Sequence, residues 1–124
     1  VSFGREYSGE PVDPGRKGTR GTDRMVGPAR YWVPSIAPSG MLFYDGAAFP
    51  AWRGNLFIGA LAGTHINRLL LDGTTVLTEE RLLGSAGKRV RFVEQGPDGF
   101  IYFGIDDGEI LRLVPGETIT DARP

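Results

Sequence analysis

Between Lys88 and Pro115 the apolar and polar positions fall into three short runs, 89–95, 100–105 and 109–114, rich in Val, Ile, Phe and Tyr. Gly96-Pro97-Asp98-Gly99 separates the first two, and Asp106-Asp107-Gly108 the last two. Runs of this length, punctuated by Gly, Asp and Pro, predict β-strands joined by tight hairpins. Three strands are therefore expected to follow one another in an antiparallel meander. Upstream the pattern repeats with one more member: 40–44, 55–61, 66–71 and 75–82, connected by 45–54, 62–65 and 72–74. Asp72-Gly73 is a short hairpin signal, and the 49–55 loop carries Trp52, large enough to plug a gap between sheets.

Residues 1–30 hold no lasting alternation and are expected to be loop, a length that is uncommon in a compact domain unless functional or disordered. Their basic run, Arg16, Lys17, Arg20 and Arg24, reads as solvated surface. Next, Tyr31-Trp32-Val33-Pro34-Ser35-Ile36-Ala37-Pro38 is expected to stay extended, its two prolines keeping it out of the middle of a sheet. The adjacent aromatics can serve either as core anchors or as a face that stacks on a planar ligand. Nineteen glycines and nine prolines demand many turns, and no window longer than about two turns keeps a helical period. The fold class is all-β, with no helix beyond about three turns expected between Gly40 and Pro115.

A chain of 124 residues can bury one modest core. Its net charge of −1 gives no electrostatic reason to expect nucleic acid or an anionic membrane as partner. No apolar run approaches a membrane span, and the start, VSFGREYSGEPV, lacks the apolar core of a secretion signal. The absence of cysteine excludes disulfides and thiolate chemistry. No phosphate-binding Gly loop, Ser-His-Asp set or zinc spacing is present. The lone His65 cannot make a metal site and is expected in a turn or at the surface, and Asp106-Asp107 is expected to serve its turn.

Arg89 and Arg91 carry the candidate chemistry. Residues i and i+2 share a strand face, so these two should point one way while Val90 and Phe92 point the other. Two guanidiniums side by side form a fork for a carboxylate or phosphate. A solvated strand face is the alternative reading of the same spacing.

The phrase RVRFVEQGPDGFIYFGIDDGEILRL resembles the last blade of the soluble quinoprotein sugar dehydrogenases, the glucose/sorbosone dehydrogenase-like six-bladed propellers. The GREYSGEPV phrase and the Trp32-to-Ser39 segment resemble that family as well. The resemblance implies a partial β-propeller of about two blades of four-stranded antiparallel sheet, the last blade one strand short. The expected organisation is 1–39 inter-blade loop region, 40–83 complete blade, 84–115 incomplete last blade and 116–124 tail. On this reading the chain is the C-terminal part of the usual protein, and its open edges pair with the remaining blades or with another copy.

The same resemblance implies pyrroloquinoline quinone (PQQ) as cofactor, with Arg89 and Arg91 reaching it and Tyr31 and Trp32 lining the sugar side. It implies oxidation of the C1 hydroxyl of an aldose to a lactone, with electrons passed to an acceptor. The family's histidine base and most of its calcium ligands belong to earlier blades, so neither a catalytic nor a metal-binding residue is expected in this chain. Two departures are visible: Val33 stands between Trp32 and Pro34, and Ala62 follows Gly59-Ala60-Leu61 where some members have a Lys that approaches the cofactor. A periplasmic or secreted location goes with the family. Two alternatives remain, a non-catalytic propeller of the same ancestry used for binding or scaffolding, and an autonomous small β-domain.

Overall fold

The strands form where alternation and turn chemistry predict them. The computed structural model describes residues 28–116, and the basic run 16–24 and the tail beyond 116 lie outside them. The chain divides into two units, Val1–Ser35 and Ile36–Pro124. In the second, four strands build one sheet in the order β1 (Pro38–Phe43), β2 (Leu56–Ala60), β3 (His65–Asp72), β4 (Thr75–Leu82). Three more, β5 (Val90–Gln95), β6 (Ile101–Ile105) and β7 (Ile110–Leu113), build a second sheet in that order. All pairings are antiparallel. The only helical segments among the described residues are single 3-10 turns, Pro50–Trp52 and Gly84–Ala86.

Turn residues close the hairpins as their backbone requires. Gly73 takes a positive φ of 59° at the first of the two residues between paired Asp72 and Thr75, the position that type II′ reserves for Gly. Gly99 and Gly108 both sit at φ 82° after their Asp residues. Each ends a three-residue loop closed by a backbone bond, Gly99 N–H to the Gly96 carbonyl and Gly108 N–H to the Ile105 carbonyl. Strand β1 begins at Pro38, two residues earlier than the alternation predicts. Proline is tolerated there because β1 is an edge strand of its sheet and its pairing is irregular between Pro38 and Gly40.

Strict alternation divides the first sheet into two faces. Phe57 and Ile66 point toward the second sheet and join Tyr44, Val90, Val93, Ile101, Phe103 and Ile105 in one core. Leu56, Ile58, Ala60, His65, Asn67 and Leu69 occupy the opposite face. The sheets approach most closely where glycine removes a side chain: a Cβ on Gly40 would lie 3.0 Å from the Phe92 Cα, and one on Gly59 2.9 Å from a Val90 methyl. Ser39 Oγ–H donates to the Val90 carbonyl at 2.5 Å across this contact.

One expectation about the second sheet is corrected. Val90 pairs with Ile105, and the next pair is Phe92 with Gly104, so Arg91 is the extra residue of a β-bulge. Val90 and Phe92 therefore do not share a face. Val90 and Val93 enter the core, while the Phe92 ring lies over Gly104, where a Cβ would come within 2.2 Å of it.

At the end of the sheets holding the 96–99 turn, Asp98 has a dense set of partners. Tyr102 O–H donates to its Oδ2 at 2.5 Å, the Phe100 N–H to its Oδ1 at 3.0 Å, and Arg112 lies 3.5 Å away. These contacts, the Tyr102 bond foremost, hold the Asp98 carboxyl below its ordinary value. A carboxylate favoured by the fold contributes stability above its unfolded pKa of about 3.9, and that contribution is lost as pH falls through the lowered folded value. Tyr102→Phe is expected to move the Asp98 titration, followed by carboxyl-carbon NMR, upward toward the unfolded value. An unmoved midpoint would assign the shift to other groups.

Candidate functional site

Contacts between β1 and β5 fix which loops lie together. Ser39 meets Val90 near the start of both strands, while Asp45 N–H bonds the Gln95 side chain at 3.0 Å and Tyr44 reaches Gly99 near their ends. The two strands thus run in the same direction. One end of the unit consequently gathers the segment entering β1, the 61–64 turn, the approach to β5 and the 106–108 turn. Backbone bonds tie the first two: Ala62 N–H and Gly63 N–H donate to the Ile36 carbonyl at 3.0 and 3.2 Å, and Leu61 N–H to that of Ala37 at 3.0 Å.

Arg89 and Arg91 stand at this end, and one carboxylate brings them together. Asp106 follows Ile105, the partner of Val90, and so flanks Arg89 across the hairpin. The bulge directs Arg91 to the same point. Arg89 Nε lies 2.6 Å from Asp106 Oδ2, and Arg91 Nε–H donates to Asp106 Oδ1. Among the described residues the Nη groups of both arginines carry no further hydrogen bond, and the side chains are 51% and 59% exposed. Two guanidiniums against one carboxylate leave one net positive charge on two side chains that are more than half exposed. Beside them Lys88 Nζ bonds Asp107 Oδ2 at 2.7 Å, which raises the Lys88 pKa above its ordinary value. This cluster can receive an anion with at least one carboxylate, end-on to the guanidiniums.

Asp106 is the residue that sequence reasoning placed only in the turn. It does occupy the turn, and it also joins both arginines. The available signal was charge complementarity between Lys88-x-x-Arg91 and the Asp-Asp pair at the far end of the same hairpin.

His65 also departs from expectation: it is the first residue of β3, pairs with Ala60 and is buried. Its Nδ1 lies 2.7 Å from the Gly63 carbonyl, so the Nδ1–H tautomer donates there. Among the described residues, its Nε2 and both amide atoms of Asn67 are buried without a hydrogen-bond partner. Tyr31 and Trp32 belong to the first unit, where both are half-buried, the Arg30 guanidinium lies 5.1 Å from the Trp32 ring centre and Arg30 donates to the Tyr31 carbonyl. Among the described residues no group of three or more His, Asp or Glu is placed to hold a metal ion.

Sugar dehydrogenases are among the known proteins that share this sequence pattern and fold. A sequence model of the Glucose / Sorbosone dehydrogenase family matches residues 1–112. The aldose sugar dehydrogenase YliI of Escherichia coli (strain K12) is 39% identical over 119 residues, 93% of this chain and 31% of its own length. The uncharacterized protein slr1608 of Synechocystis sp. is 44% identical over 116 residues, 91% of this chain and 27% of its own. A crystal structure of a glucose dehydrogenase superposes with a TM-score of 0.83 at 47% identity, covering 94% of this chain and 34% of that one. The soluble aldose sugar dehydrogenase of Escherichia coli in its apo-form superposes at 0.78 and 39% identity, over 90% of this chain and 32% of that one. The two antiparallel sheets are thus those of the β-propeller sugar dehydrogenases. The chain belongs to the glucose/sorbosone dehydrogenase family. It spans about a third of the length of the relatives it matches.

Proposed function

We propose that the protein containing this chain is a PQQ-dependent aldose sugar dehydrogenase, in which Arg89 and Arg91 hold carboxylates of the cofactor. The observation that carries the reading is the pair itself: two arginine side chains, each more than half exposed, brought together with Nε of each against the one Asp106 carboxylate. PQQ is a planar tricarboxylate, and carboxylates leaving water need cationic, hydrogen-bonding partners. The net positive charge and the exposure of both arginine side chains fit that need. Bound PQQ would supply the two-electron acceptor for hydride from C1 of the aldose, giving the lactone.

In this reading the chain orients rather than transforms. Arg89 and Arg91 fix the cofactor's position, and Tyr31 and Trp32 offer ring faces to the sugar. In this reading calcium and the base that removes the C1 hydroxyl proton are supplied largely by other parts of the protein. A periplasmic or secreted location and a separate electron acceptor complete the proposal.

The test is PQQ titration of the apo-protein. A charge-assisted hydrogen bond contributes about 1.5–3 kcal/mol, so Arg91→Ala and Arg89→Ala are each expected to weaken PQQ about tenfold to a hundredfold. The Lys variants should recover only part, because a point charge does not replace the planar fork. Unchanged affinity in both Ala variants, with circular dichroism intact, would return the pair to a solvated strand face.

A further inference from the structure

Asp106 is the one group in the described cluster that touches both arginines, and it does so in a particular way. The closest approach of each guanidinium is through Nε, the inner nitrogen, at 2.6 Å for Arg89 and through a direct hydrogen bond for Arg91. A carboxylate gripping the Nη ends would compete with any incoming anion for the same hydrogens. A carboxylate on Nε leaves the end-on pair of each guanidinium available. Asp106 is itself only 30% exposed, whereas the arginines are more than half exposed. The anchoring side chain is thus more covered than either arginine it touches.

We infer that Asp106 is a positioning residue for carboxylate recognition, holding Arg89 and Arg91 with their Nη ends outward. The inference rests on the reading of the pair as a PQQ site and adds a residue to it. Two effects of Asp106 oppose each other. Its negative charge lowers the attraction of the cluster for an anion, and its grip removes rotamer freedom that two long arginine side chains would otherwise lose on binding. In a half-exposed cluster the long-range charge term is screened by water and salt, whereas the orientation of a fork is a contact property that salt does not weaken. Orientation therefore outweighs charge, and loss of the carboxylate weakens binding.

Asp107 supplies the control. It lies in the same turn, carries the same charge and pairs with Lys88 rather than with the arginines. Asparagine suits this kind of turn as aspartate does, so Asp106→Asn and Asp107→Asn each remove one charge while keeping the hairpin. PQQ affinity of the apo-protein, measured by titration at low and at physiological salt, is expected to fall about tenfold for D106N. For D107N it should stay within about twofold of the parent or tighten. D106E, which restores a carboxylate, should recover part of the loss. The arginine Nε–H signals in 1H–15N spectra provide a readout without cofactor: a protected Arg91 signal in the parent, lost in D106N and kept in D107N.

A D106N variant that binds PQQ more tightly, or that behaves like D107N, would show that Asp106 acts only as a charge and overturn the inference. Absence of a protected Arg91 Nε–H signal in the parent would overturn it as well. If Arg91→Ala and Arg89→Ala leave PQQ affinity unchanged, the cofactor reading falls and Asp106 falls with it. If they weaken binding while D106N does not, the cofactor reading stands and only the positioning role is lost.

Discussion

Phe57→Ala is expected to lower the unfolding free energy by about 3–5 kcal/mol, the range for truncating a fully buried aromatic. Phe57 has no exposed surface and sits between the sheets, edge-on to Tyr44 at 6.2 Å between ring centres and 5.4 Å from Trp52. Trp52 in turn stacks on Phe49 at 4.6 Å, so removing the Phe57 ring opens a void bordered by a rigid aromatic set that cannot close over it. A domain has about 5–15 kcal/mol in total, which makes this one ring a large share. Phe43, the β1 residue paired with Leu56, supplies the comparison. Its side chain is exposed, and Phe43→Ala should change stability by less than about 0.5 kcal/mol in the described fold. Urea denaturation of both variants would settle the matter. A loss below about 1 kcal/mol for Phe57→Ala would mean that contact between the two sheets is not what stabilises the unit.

Tyr44→Phe is expected to cost about 2–3 kcal/mol although it removes a single oxygen. The Tyr44 hydroxyl is a joint between loops: it donates to the Gly99 carbonyl at 2.6 Å and accepts from the Phe49 N–H at 3.0 Å. The tyrosine itself is buried without exposed surface. Deleting the oxygen deprives a backbone acceptor in the 96–99 turn and a backbone donor in the 45–55 loop of the partner that satisfied them. Both bonds are part-buried, and an orphaned polar group costs about 1–3 kcal/mol where water cannot replace its partner. Ring burial is unchanged, so the loss isolates the hydrogen bonds from the packing that Phe57→Ala removes. Tyr102→Phe also deletes a hydroxyl, but one bonded to exposed Asp98, and should cost less than about 1 kcal/mol. Equal losses for the two tyrosines would refute a special role for the Tyr44 joint.

Strand positions were legible in this sequence because Gly, Asp and Pro mark nearly every hairpin, and local chemistry suffices to fix a tight turn. The all-β class and the two sheets follow from the same marks. Register was less legible. Nothing within VRFVEQ distinguishes a regular strand from a bulged one, because the extra residue is defined only against β6. Alternation alone therefore places Phe92 on the side of Val90. His65 failed for a related reason: it adjoins Gly63 and Thr64, which read as turn, while its burial follows from pairing with Ala60 across the hairpin. For the site, the juxtaposition of Arg89 and Arg91 could be anticipated from their spacing. For Asp106 only charge complementarity pointed the way, and its contact with both arginines depends on a pairing fifteen residues away in the chain for Arg91.

The bulge at Arg91 means that sheet geometry does not ask for this residue. On the β6 side the rungs are consecutive, Ile105 against Val90 and Gly104 against Phe92. Omitting Arg91 in thought would join Val90 directly to Phe92 and leave an unbroken two-residue alternation, with Val90 and Val93 still facing inward. The chain thus carries one guanidinium as a supernumerary stitch, outside the pattern that holds the fabric together. Substitutions at Val90, Val93 and Phe103 answer to the core, while the side chain at position 91 answers to whatever approaches the solvent side of the cluster.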